Sequence, residues 1–140
     1  MVTIVWVGII FSFSLHTREE SVGMSSAVLT YIMDTFFPQL TGKVDFEILH
    51  LLLRKTAHFS EYFVLGVFGC FAMQGTKKKN TLTILFCLGI AAIDETLQLF
   101  VSGRVGSIWD VLIDSAGAIV GIGILTLIQK IRKRKRGLGD

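Results

Sequence analysis

Charge is scarce in this chain. Asp, Glu, Lys and Arg make up 18% of its 140 residues, where a soluble domain usually carries about 25%. Hydrophobic residues make up 51%, and the mean hydropathy is +0.63. Proline occurs once, as Pro38, and there is no Ser/Gly-rich or low-complexity stretch, which argues against a flexible linker. With no internal repeat, the length suits a single unit over residues 1–140. The two cysteines, Cys70 and Cys87, lie inside apolar runs, where thiols pack as small hydrophobes rather than forming a disulfide framework. No zinc pattern such as H-E-x-x-H is present.

What remains is dominated by four apolar runs, at about 2–15, 56–73, 82–100 and 108–128. The expected fold class is an all-α integral membrane bundle of about four transmembrane helices. The first run is short for a span of about 20 residues. It also lacks the positive n-region and small-residue cleavage pattern of a signal peptide, so it reads as a first helix. Between runs one and two, Val28, Leu29, Ile32, Met33, Phe36 and Phe37 recur at helical spacing. That pattern predicts an amphipathic helix over about 25–37, on the outer leaflet or capping the bundle. Pro38 and Gly42 break the chain, and a helix from about Asp45 is expected to run through His50 and Arg54 into the second span.

The net charge of +3 and the pI near 9.0 point to lipid rather than nucleic acid. Six of the fourteen basic residues (Lys130, Arg132, Lys133, Arg134, Lys135, Arg136) form one run in the tail 129–140, the pattern of an anchor attracted to anionic lipid. Lys77, Lys78 and Lys79 fall in the polar turn between runs two and three. Placing both groups in the cytoplasm puts nine of the fourteen basic residues inside, as the positive-inside rule requires. Both termini are then cytoplasmic, and the 16–55 and 101–107 connections face outward.

Seven polar or ionisable residues interrupt the last three runs: His58, Glu61, Asp94, Glu95, Gln98, Asp110 and Asp114. A carboxylate at membrane depth costs roughly 2.5–3.5 kcal/mol on insertion scales, so such groups pair with one another or line a site. The orientation places all seven near the outer face, with Arg104 in the short outer loop and Arg54 and Lys55 just above. His58 and Glu61 are i,i+3 neighbours, and Asp94 and Gln98 are i,i+4. Asp110, Asp114, Gly117 and Gly121 form one stripe on the fourth run, ending in a G-x-x-x-G that predicts close helix packing. Asp94 and Glu95 diverge by about 100° on a helix, so each needs its own partner.

Five acids cannot all stay charged in a low-dielectric site with Arg104 as the one certain counter-charge. Three functional readings and one bland reading follow. The first is recognition of an extracytoplasmic lipid or amphiphile head group, with Arg54, Lys55 and Arg104 holding phosphate or carboxylate and the acids holding amines or hydroxyls. The second is a hydrolase or transferase acting on a lipid phosphate with a divalent cation, Mg²⁺ or Mn²⁺, held by hard oxygen ligands. There His58, Glu61, Asp94 and Glu95 are the candidate catalytic groups. The third is proton- or ion-coupled transport, least favoured because no such residues continue to the inner side. The bland reading is a structural network, and for Asp110 alone a helix cap is the better account.

The stretch Arg54-Lys55-Thr-Ala-His58-Phe-Ser-Glu61-Tyr62-Phe-Val-Leu-Gly66 resembles the R-K-x-x-H-F-x-E-Y-x-x-L-G signature of the VanZ-like family. Asp94-Glu95-x-x-Gln98 through Gly103-Arg104, then Asp110, Asp114, Gly117 and Gly121, is similar to the family's second block. The resemblance covers about residues 50–125 and little of the first 45. It implies a small bacterial cytoplasmic-membrane protein acting at the outer face, with membrane lipids, a lipid-linked cell-wall precursor or a lipoglycopeptide as partners. The family takes its name from a protein that lowers susceptibility to teicoplanin-type glycopeptides. In that setting Arg54, Lys55, Gln98, Arg104, Asp110 and Asp114 are the candidate binding residues.

Overall fold

The apolar runs become helices, but with shifted ends. A computed structural model describes residues 1–36, 45–104 and 106–137. Among the described residues there are five helices and no strand: α1 Val2–Ser14, α2 Arg18–Phe36, α3 Phe46–Ala72, α4 Lys79–Gln98 and α5 Ile108–Arg136. The expected break at Pro38 and Gly42 lies outside the described residues.

One shift is in α2, which starts at Arg18 rather than near Ser25. A reciprocal cap explains it. The Glu20 amide donates to Thr17 Oγ1 at 3.3 Å, and the Thr17 amide donates to Glu20 Oε2 at 2.8 Å. This Thr-x-x-Glu box satisfies two amides that an uncapped helix end would leave unpaired. Those bonds hold the Glu20 carboxyl below its ordinary pKa. Asp45 caps α3 by accepting the Glu47 amide at 2.9 Å, so the chain runs helically from Phe46 into the second apolar run, as expected. The helix α5 does not stop at Ile128. It carries the basic run out to Arg136, because Lys and Arg form helices well and their charge suits a helix C-terminus.

Side-chain pairings fix the helix directions. Lys55 meets Asp110 and His58 meets Asp114, while Gly121 lies against Phe63 further along, so α3 and α5 run parallel. Lys79 and Asn80, at the start of α4, bond Gln129 and Thr126 near the end of α5, so α4 runs the opposite way. In α1, Thr3 donates to the Phe68 carbonyl and Trp6 Nε1 to the Glu61 carbonyl, so α1 runs against α3. The helix α2 lies on α3, with Ser26 Oγ 3.2 Å from His50 Nε2. The start of α1 and the end of α5 therefore share one end of the bundle.

Glycines set the α3–α5 distance. A Cβ on Gly66 would sit 2.6 Å from the Ala118 carbonyl oxygen, and Cβ atoms on Gly117 and Gly121 would collide with the carbonyls of Phe59 and Phe63. The G-x-x-x-G stripe thus packs backbone against backbone, as its spacing predicts. A core of Ile10, Tyr62, Leu65, Cys87, Ala91 and Ala118 joins α1, α3, α4 and α5, and both cysteines are buried and free.

The outside of the bundle is apolar. Leu85, Leu88, Ile93, Leu112, Ile119 and Leu127 are exposed, while Asp94, Gln98 and Asp114 are wholly buried. Two helices, α4 and α5, are long and apolar enough to cross a membrane, and only 28% of each apolar stretch is buried within the molecule. A core helix of a soluble protein would be covered on most sides. The helix α1 is apolar but has 13 residues, about 20 Å at 1.5 Å per residue.

Candidate functional site

Helical spacing puts the polar residues of α3, α4 and α5 on inward faces, and the close α3–α5 packing brings them together. One ligand atom each from His58, Asp94 and Asp114 lies within 4.8 Å of the other two, and all three residues are buried. His58 Nδ1 stands 3.3 Å from Asp114 Oδ1. That contact is the only one either atom makes, and Asp114 Oδ2 has no partner. Asp94 accepts Gln98 Nε2 at 3.3 Å on Oδ2, which leaves its Oδ1 unpartnered. Tyr62, one turn beyond His58 on the same face of α3, is fully buried with an unpartnered hydroxyl.

A second layer lies toward the start of α3 and α5. Lys55 Nζ donates to Asp110 Oδ1, and Arg54 Nη2 is 3.5 Å from Asp110 Oδ2. Arg54 also donates to Gln98 Oε1 at 3.3 Å, and Gln98 Nε2 reaches Ser14 Oγ at 3.4 Å. A polar chain thus runs Asp110–Arg54–Gln98–Asp94 across three helices, with Ser14 on a fourth. This corrects the reading of Asp110 as a cap. Ser107 is the N-cap residue of α5, and the Asp110 carboxylate pairs across to α3 instead. Its place in the first turn of α5 adds a favourable dipole term.

Arg104 lies near enough to Asp94, Glu95 and Asp110 to feel their charge, but among the described residues it forms no direct ion pair with them. Its Nη2 donates to Ser21 Oγ and to the Phe13 carbonyl, and its Nε is buried with no partner. Burial, then the nearby Arg54 charge, push the guanidinium below its ordinary pKa, although an arginine keeps its proton. Glu95 diverges from Asp94 as the helix requires. Its Oε1 accepts the Ser107 amide at the turn into α5, where Gly103 adopts φ of 76°, a left-handed conformation that favours glycine.

In front of these groups is a cavity of about 900 Å³ between α1, α2, α3 and the α4–α5 loop. Its polar wall includes Arg54, His58, Glu61 and Arg104, and its apolar wall includes Val22, Val28, Ile48 and Leu51. Of the expected site residues, those four face the cavity. Asp94, Glu95, Gln98, Asp110, Asp114 and Lys55 stand behind it. Sequence reasoning missed His50, Ser14 and Tyr62. His50 lines the cavity with an unpartnered Nδ1, and in the sequence it stood only as a point on the helix leading into the second run. Ser14 is a small hydroxyl at the end of an apolar run. Tyr62 stands inside the His58–Gly66 motif, which was its signal.

No curated protein and no solved structure matches the chain. The profile of the VanZ/LLP1 family matches residues 1–129, so the likeness extends beyond the two motif blocks to α1 and α2, which enclose the cavity. With polar groups buried at the helix junctions, apolar side chains outside and nearly the whole chain matched, the protein belongs to the VanZ/LLP1 family.

Proposed function

We propose that the protein binds the phosphate-bearing head group of a cell-envelope lipid or lipid-linked cell-wall precursor in the α1–α2–α3 cavity. The observation that carries this reading is Arg104. It is a half-buried guanidinium on the cavity wall whose Nε–H has no acceptor, beside Arg54 on the same wall. Two guanidiniums on one wall attract an anion, and their forked donors suit phosphate oxygens. The apolar side of the cavity suits acyl or polyprenyl chains, and the volume is in the range of ligand pockets.

In this reading α1, α3, α4 and α5 cross the bacterial cytoplasmic membrane, with α2 on the outer leaflet and the cavity facing outward. Support comes from the shared end of the two termini and from the basic residues concentrated there, which favour the cytoplasm. Holding an envelope lipid at the outer face is the means by which the protein lowers susceptibility to teicoplanin-type glycopeptides. The test compares Arg104→Gln and Arg54→Gln with wild type at matched membrane abundance, in cells that wild type protects. Loss of protection in Arg104→Gln is expected. Full protection by both variants overturns the reading.

A further inference from the structure

We propose that His58, Asp94 and Asp114 form a binding site for a first-row divalent cation at the junction of α3, α4 and α5. Three helices each supply one ligand, and the ligand atoms lie within 4.8 Å of one another. Ligands of one six-coordinate ion stand about 3–4.4 Å apart when bonds are near 2.2 Å, so small side-chain rotations close the set. The His58–Asp114 pair, at 3.3 Å, is already at the spacing of adjacent ligands.

The second observation is what these atoms lack. Asp94 and Asp114 have no exposed surface, yet Asp94 Oδ1 and Asp114 Oδ2 have no partner, and Asp114 Oδ1 has only His58 Nδ1, at 3.3 Å. Buried polar atoms in a folded protein are nearly always bonded. Among the described residues no lysine or arginine forms an ion pair with either carboxylate: Arg54 and Lys55 meet Asp110, and Arg104 bonds Ser21 and the Phe13 carbonyl. Two buried carboxylates therefore share one imidazole as their only basic partner among the described residues. Gln98 acts as a positioning residue. By donating to Asp94 Oδ2 it holds the carboxylate in place, as outer-sphere groups orient metal ligands elsewhere.

Ligand chemistry narrows the ion. Mg²⁺ prefers oxygen donors and keeps several waters, whereas an imidazole with two carboxylates suits Mn²⁺, Fe²⁺ or Zn²⁺. His58 also lines the cavity, so the site borders it. The site stands whether or not the cavity holds a lipid, since none of its three ligands depends on one.

The probe is Mn²⁺. Full-length protein in nanodiscs, stripped with EDTA, is titrated with Mn²⁺ while electron paramagnetic resonance counts the free ion. One saturable site per chain is expected, displaced by Zn²⁺ and not by an equal concentration of Mg²⁺. Asp114→Asn and Asp94→Asn should each weaken it at least tenfold, with helicity and elution volume unchanged. Should those variants misfold, wild type alone decides. Electron spin-echo modulation from a directly bound imidazole nitrogen is expected, and its absence from bound Mn²⁺ overturns the proposal. So does the absence of saturable binding, in which case a proton shared within the cluster neutralises it. Binding unchanged in both folded Asn variants overturns it too.

Discussion

Replacing Gly66 by Ala tests how the site is held. The three atoms nearest an added Cβ are all backbone atoms of Ala118, at 2.6, 3.1 and 3.2 Å. Ordinary van der Waals contact begins near 3.4 Å, and no side chain can swing aside. The helices α3 and α5 must therefore separate by the better part of an ångström, and the same holds for Gly117→Ala against Phe59 and Gly121→Ala against Phe63. Overpacking of this kind costs about 1–3 kcal/mol. Helix propensity pushes the other way, since Ala is favoured over Gly by about 1 kcal/mol, so the net loss is about 0–2 kcal/mol per site. Paired substitutions should cost less than the sum, because one separation relieves both collisions. Gly123 is the control. An added Cβ there meets nothing within 4 Å, so Gly123→Ala should be neutral or stabilising. The assay is unfolding in mixed detergent micelles followed by circular dichroism. The reasoning is refuted if Gly66→Ala, Gly117→Ala and Gly121→Ala all unfold at or beyond the Gly123→Ala midpoint.

Two other outcomes follow from named contacts. Asp110→Ala strands Lys55 and Arg54, whose side chains are about a third exposed, so the loss lies between surface and buried pairs, about 1–2 kcal/mol. The same unfolding assay checks it, and Lys55→Ala combined with Asp110→Ala should recover part of the loss. For Glu20, a lowered carboxyl pKa means the ionised form stabilises the folded state. That contribution is complete above the unfolded pKa and disappears as pH falls through the lower folded value. Carbon-13 NMR titration of the Glu20 carboxyl should give a midpoint below 4.5, its ordinary value, and Thr17→Ala should raise it.

The junction was legible in the sequence because a helix has one period. Asp110, Asp114, Gly117 and Gly121 could share a face only by meeting a neighbouring helix, and Asp94 and Glu95 could not share a partner. Both constraints survive in the structure. The partners were not legible. Arg104 is near the acids in sequence order, but the turn at Gly103 and the packing of α1 and α2 direct it to Ser21 and the Phe13 carbonyl. Asp110 looked like a cap because caps are local, whereas its pairing with Lys55 spans 55 residues. The cavity itself depends on where α2 lies against α3, which periodicity does not specify. The early start of α2 was legible, in Thr17 and Glu20, to a reading that weighed caps as well as apolar spacing.

The central claim is that the cavity holds a phosphate-bearing amphiphile through Arg54 and Arg104. Native mass spectrometry of the protein released from nanodiscs containing phosphatidylglycerol and undecaprenyl phosphate tests it directly. Wild type should retain one such lipid per chain, and Arg54→Gln/Arg104→Gln should lose it while staying folded. Equal retention by both proteins, or none by wild type, contradicts the account.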